Sequence, residues 1–189
     1  MMAAIILTVG FMGLIQAVTI CSGMMDQARR QTLAAQILNN EIEQLRLQPW
    51  TTITGLATAS AAVGIDRQFW PAWLGTASYA TGSVVSYNGG YYRCIMASAG
   101  EPPSDPSHWT PATSSQSTDI LVFSGAIYSM TRATEDIQAG SLREVTFTVT
   151  WVVTSSRRDS GNNPVKFTYS RSNSAWYGKY GLNLSYQRS

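Results

Sequence analysis

The chain has 189 residues, enough for one domain with appended segments. Its formal net charge is +2, and its 13% of charged residues is about half the share in an average domain. This weak charge gives no support for electrostatic binding of nucleic acid, so we expect no nucleic-acid partner. One histidine and two cysteines also leave too few ligands for a zinc cluster, and we expect no metal or cofactor.

The opening segment, MMAAIILTVGFMGLIQAVTICSGMM, has no charged residue before Asp26. A cleaved signal peptide would begin with basic residues, but no Lys or Arg precedes Arg29. A buried core helix is a further alternative, although such helices are rarely apolar on every face. Because about 20 apolar residues cross a bilayer, the sequence predicts a transmembrane helix over about residues 1–25.

The helical pattern continues past this segment, through DQARRQTLAAQILNNEIEQLRLQPW. Apolar residues recur there on one stripe, and good helix formers lie between them. Pro49 ends the pattern. We therefore assign residues 1–50 to a long N-terminal helix, and we expect its last helical residue at about Gln48. The stripe predicts helix-to-sheet packing by four residues: Leu33, Ile37, Ile42 and Leu45.

The segments MMAAIILTVGFMGLIQAV and AAQILNNEIEQLRLQPW together resemble the N-terminal helix of type IV pilins and type II secretion pseudopilins, above all the minor members. The resemblance implies a single pass through the bacterial inner membrane, with the C-terminal domain in the periplasm or on a cell-surface filament. The implied partners are other pilin or pseudopilin subunits and inner-membrane lipid. The residues expected to pack in the membrane or filament are Ile5, Ile6, Leu7, Val9, Phe11, Leu14, Ile15 and Val18.

Family members also carry a basic leader, a glycine cleavage site, an aromatic residue that becomes N-methylated, and a glutamate. The sequence resembles the family from just after that glutamate. Two expectations follow: either the native N-terminus lies upstream of Met1, or the protein is not processed.

Residues 51–68 are small and polar and predict a connecting loop, after which the pattern changes to short strands. Asn88-Gly89 predicts a tight hairpin turn between strands at 83–87 and 91–95. The order of aromatic residues, glycines and prolines over 69–112 resembles a small carbohydrate-binding module of the chitin-binding type. The residues that give this resemblance are Trp73, Tyr79, Gly82, Val84, Tyr87, Gly89, Tyr92, Cys94, Pro102 and Trp109.

Such modules hold sugar rings against exposed aromatic faces, so the resemblance implies a chitin-like or peptidoglycan-like glycan as a partner. The candidates for an exposed platform are Trp70, Trp73 and Tyr91. The alternative is that most aromatic residues of this unit form its core.

Residues 113–189 contain alternating stretches, ILVFSGAIYSMTRAT, LREVTFTVTWVVTS and PVKFTYSRSNS, separated by turn residues. They predict an antiparallel sheet whose apolar face covers the stripe on the long helix. The tail, SAWYGKYGLNLSYQRS, predicts either an edge strand or an exposed contact surface. The expected fold class is α+β: a long N-terminal helix, membrane-spanning in its first half, packed on an antiparallel sheet with a small all-β insert.

The sequence offers no catalytic set, because His108 stands alone in a proline-rich loop and a capping or surface role suits it better. We therefore expect no enzyme. The predicted function is a structural subunit, a minor pilin or pseudopilin, of a type IV pilus or type II secretion filament. The alternative is a membrane-anchored surface protein that binds glycan through the 69–112 module.

Overall fold

A computed structural model describes residues 2–180, without the side chains of residues 2–9 and 156. Its first element is helix α1, Met2–Arg46, of 45 residues. At 1.5 Å per residue α1 is about 68 Å long. It ends two residues before the predicted limit, in a turn that leads to Pro49.

The segment that was predicted as a loop contains three short elements. These are helix α2, Trp50–Thr54, strand β1, Ala61–Val63, and a 3-10 turn, Arg67–Phe69. Strand β1 forms because it pairs with a strand about 70 residues later, with Ala62 opposite Thr131. Its own sequence is weakly patterned, so this long-range pairing, and not local preference, gives the segment its structure.

The strands between residues 78 and 111 form two small sheets. Strand β2 is Ser78–Tyr79, β3 is Val84–Tyr87, β4 is Gly90–Cys94, β5 is Ser98–Ala99 and β6 is Trp109–Pro111. Strands β3, β4 and β6 make one antiparallel sheet, and β2 pairs with β5. The predicted hairpin turn is confirmed, since Asn88 and Gly89 have φ values of 48° and 77° between β3 and β4.

The largest sheet is formed by strands β7, Leu121–Phe123, β8, Ala126–Gln138, β9, Leu142–Arg158, and β10, Pro164–Gly178. Its order is β1-β8-β9-β10, and β7 pairs with the first residues of β8. All of these pairings are antiparallel. The long alternating segments therefore form the three adjacent strands β8, β9 and β10, as their period of two predicts.

One core lies between α1 and the main sheet. The helix supplies apolar residues from Leu33 to Leu45, and the sheet supplies alternate residues such as Val145, Phe147 and Val149. Trp70 and Val84 belong to the same core, so the small strands pack directly on the main body. A second, smaller cluster holds Val85, Cys94 and Trp109.

The α+β fold class is confirmed, but the transmembrane expectation for about residues 1–25 is wrong. In the part of the chain that the structure describes, no helix is both long and apolar enough to span a bilayer. Gln16, Thr19 and Ser22 interrupt the apolar run, and Asp26 ends it. This finding also contradicts the inferred single-pass placement in the inner membrane, with the C-terminal domain in the periplasm.

Candidate assembly surface

Helix α1 is buried along one stripe in its C-terminal half. Leu33, Ile37, Ile42 and Leu45, the residues expected to pack on the sheet, all lie in the main core. Two further members of this stripe, Ala34 and Leu38, are buried as completely. Burying an aliphatic side chain of this size contributes about 1.5–3 kcal/mol, so this half of the helix is fixed to the sheet by apolar packing.

Hydrogen bonds hold the same half of the helix to the strands. The Tyr177 hydroxyl donates to the Ile42 carbonyl oxygen at 3.2 Å, and the Tyr128 hydroxyl donates to that of Arg30 at 3.5 Å. Burial raises the pKa of both tyrosines to about 12. The Arg30 guanidinium donates to the Ser124 carbonyl at 2.6 and 3.0 Å. Arg30 therefore marks the point from which the helix is fixed to the domain.

The N-terminal half of α1 has no such cover. From Gly10 to Met25 every residue is exposed. The large apolar side chains of this segment are between 56% and 70% exposed, and they are Phe11, Met12, Leu14, Ile15, Val18, Ile20, Met24 and Met25. We call residues 10–25 the exposed helix segment. The predicted packing residues Ile5, Ile6, Leu7 and Val9 lie outside the side chains that the structure describes.

A groove lies between α1 on one side and the 3-10 turn and strand β7 on the other, next to the exposed helix segment. One wall is formed by helix residues between Ala28 and Gln36, and the other by Phe69, Trp70, Pro71 and Phe123. Arg29 at its rim lies 3.7 Å from Asp26. The apolar surface of the helix thus continues onto the globular part.

Trp70 is buried and is not part of an exposed glycan platform, contrary to the prediction. Its side chain is only 4% exposed, and its indole N–H donates to the Ile65 carbonyl oxygen at 3.2 Å. Trp73 and Tyr91 are half-buried and each packs edge-on against another ring: Trp73 on Tyr87, and Tyr91 on Trp70. These contacts favour the alternative in which the aromatic residues form the core of the unit.

His108 lies in a turn and is tied to a neighbouring acid. Its Nδ1 lies 2.9 Å from Asp105, which also accepts a hydrogen bond from the Ser107 amide. The Ser107 amide, followed by His108, lowers the pKa of Asp105. Among the described residues, no group of three or more His, Cys, Asp or Glu side chains could hold a metal ion.

Two arginines, Arg93 (half-buried) and Arg143 (buried), position the loops, and sequence reasoning missed both. Arg93 forms a bidentate ion pair with Asp119, which joins β4 to the segment before β7. Arg143 donates to three carbonyl oxygens around α2, those of Ile53, Thr54 and Leu56, at 2.8–3.0 Å. The Arg93–Asp119 pair and the contacts of Arg143 with α2 could not be found from local sequence, because these partners lie 26 or more residues away along the chain.

In comparisons with protein-family models, with curated proteins and with solved structures, no match to this chain was found.

Proposed function

We propose that this protein is a pilin-like structural subunit that assembles with other subunits through the N-terminal half of α1. The observation on which this rests is the contrast within that single helix. One half is buried under the sheet, and the other projects as an exposed helix segment with apolar side chains on all its faces. The resemblance to type IV pilins and type II secretion pseudopilins gives the kind of assembly: a filament, with this chain as a minor member.

The energetics favour packing between equivalent helices. Burying apolar surface contributes about 25 cal/mol per Å². Eight large apolar side chains of the exposed helix segment present such surface for burial between helices. Association opposes this with about 4–15 kcal/mol of lost freedom. A contact with one neighbour therefore gives weak association, whereas a bundle of several helices covers all faces and offsets the cost.

The globular part offers a second contact for a neighbouring subunit. The groove beside Leu33 and Phe69 is mainly apolar and continues the surface of the exposed helix segment. A neighbouring helix that leaves the bundle can lie in this groove. This arrangement would fix the angle between successive subunits, which a filament requires.

The test is the association state of the full chain after a charge is placed on the exposed helix segment. Ile15→Lys and Val18→Lys are expected to reduce self-association at least tenfold, measured by sedimentation velocity over a concentration series. The matched control is Asn39→Lys, at an exposed position on the half of α1 that packs on the sheet and outside the groove. Unchanged association in Ile15→Lys and Val18→Lys, or an equal loss in the control, would contradict the proposal.

A further inference from the structure

The face of the main sheet that points away from α1 bears an array of hydroxyl groups. Side chains alternate between the two faces of a strand, and the residues facing the core, such as Val149 and Trp151, leave their neighbours on the outer face. Strands β8, β9 and β10 are in register across it. Two successive rows of three consist wholly of Ser and Thr, and their members are Ser129, Thr150, Ser170, Thr131, Thr148 and Ser172.

The array is regular, and its two rows are uncharged. Neighbouring strands are about 4.8 Å apart, and side chains on one face repeat about every 6.7 Å along a strand. The Thr148 and Ser172 hydroxyls lie 2.8 Å apart, so the groups of adjacent strands reach one another. Each hydroxyl both donates and accepts hydrogen bonds. These two rows carry no charged residue.

A third row, of Ala133, Thr146 and Ser174, joins the array to an exposed aromatic ring. Trp176 follows on the same face and is 57% exposed, while Tyr177 beside it points into the core. An exposed indole presents an apolar face and one N–H donor. An apolar platform therefore lies at the end of the hydroxyl rows.

Two carboxylates stand in the row of Trp176. Glu144 lies directly opposite Trp176, and Glu135 lies directly opposite Glu144 on the next strand. Like charges at directly opposed positions destabilise a sheet. Neither carboxylate forms an ion pair within residues 2–180. A local cost that is not compensated within the fold is typical of a functional site.

We propose that the outer face of the main sheet binds a neutral, β-linked polysaccharide. The Trp176 ring would pack against the apolar face of a sugar ring. Glu144 and Glu135 would accept hydrogen bonds from sugar hydroxyls, and the Ser and Thr rows would exchange hydrogen bonds with the hydroxyls of the following sugars. An extended, uncharged chain fits this surface because the hydroxyl rows follow one another along the strands, carry no charge and are rich in groups that donate and accept. The inference does not depend on filament assembly.

The test uses the full chain and two insoluble probes, microcrystalline cellulose and crystalline chitin. We expect the chain to be retained on at least one of them. Trp176→Ala is expected to weaken retention at least tenfold, and Thr148→Lys, which places a long cation in the array, is expected to do the same. The matched control is Phe167→Ala, since Phe167 is an exposed aromatic of the same strand on the opposite face.

Several outcomes would overturn the proposal: no retention on either probe, equal retention of all variants, or an equal loss in Phe167→Ala. A fall in self-association of Trp176→Ala, with retention unchanged, would assign the face to a second copy instead. Thermal unfolding of each variant identifies any loss that comes from misfolding. Because the Thr148→Lys variant lies about two rows away from Trp176, it keeps the test valid if Trp176→Ala does not fold.

Discussion

The two halves of helix α1 both carry large apolar side chains, but these side chains have opposite surroundings. Ile37 lies in the core and is 0% exposed, whereas Ile15 in the exposed helix segment is 56% exposed. The buried half is amphipathic, with polar residues such as Asn39 and Glu43 on its outer side. The exposed half has apolar residues on all sides. The sequence of the buried half therefore suits packing against the sheet of the same chain, whereas that of the exposed half suits packing against other molecules.

The largest expected effect comes from the same substitution in each half. Ile37→Ala is expected to lower the free energy of unfolding by about 3 kcal/mol, because it removes buried methylene groups and leaves a cavity. Ile15→Ala removes the same atoms from an exposed position, and we expect a change within about 0.5 kcal/mol. Urea unfolding of dilute, monomeric protein measures both. Equal losses would show that the exposed helix segment is covered within the monomer.

The two cysteines compare the exposed helix segment with the interior of the globular part by chemical access. Cys21 lies in the exposed helix segment, and Cys94 is buried at the end of strand β4 beside Val85 and Trp109. Burial raises the pKa of Cys94, which disfavours its reactive thiolate. With a thiol reagent such as DTNB we expect one fast reaction and a second that is at least a hundredfold slower. In denaturant both should react quickly.

Cys21→Ser should remove the fast phase and leave the slow one. A fast reaction of Cys94 in this variant would mean that the small strands open readily, contrary to their burial against Trp109. If the Cys21 reaction slows as the protein concentration rises, neighbouring helices cover the segment. That result would sharpen the contrast between the two halves and support the proposed assembly.

Features with a local cause were predictable from the sequence. The helix follows from its good helix formers and from Pro49, and the β3-β4 turn follows from Asn88-Gly89, because both positions favour positive φ. The strands β8, β9 and β10 follow from alternation. In each case the residues that cause the element lie within it, so one sequence suffices to find it.

Features with a distant cause were not predictable. Strand β1 needs β8 as a partner, and Trp70 is buried because the small strands pack against the main core. An aromatic residue looks the same in sequence whether its ring is exposed or covered by a segment far along the chain. The hydroxyl rows were missed for the same reason, since Thr148 and Ser172 meet only through strand pairing.

The smallest expected effect concerns a carboxyl group in the buried half of α1. Burial raises the pKa of Glu41 to about 7, and the nearby Asp66 carboxylate adds to the shift. Between about pH 4.5 and 7 the folded state keeps a proton that the unfolded chain has released. Folding therefore loses stability as the pH rises through this window, and the loss is complete above it.

Glu41→Gln removes this titration, because the amide stays neutral at every pH. We expect the variant to be more stable than the parent at pH 8 by about 1 kcal/mol, after allowance for solvent screening, and equal to it near pH 4.5. Urea unfolding at the two pH values measures the difference. Glu43→Gln, at an exposed position of the same helix, controls for the loss of a helix charge. The Glu41 carboxyl group is partly buried in the half of α1 that packs on the sheet. If the difference in unfolding free energy between Glu41→Gln and the parent did not change with pH, this carboxyl group would be open to solvent.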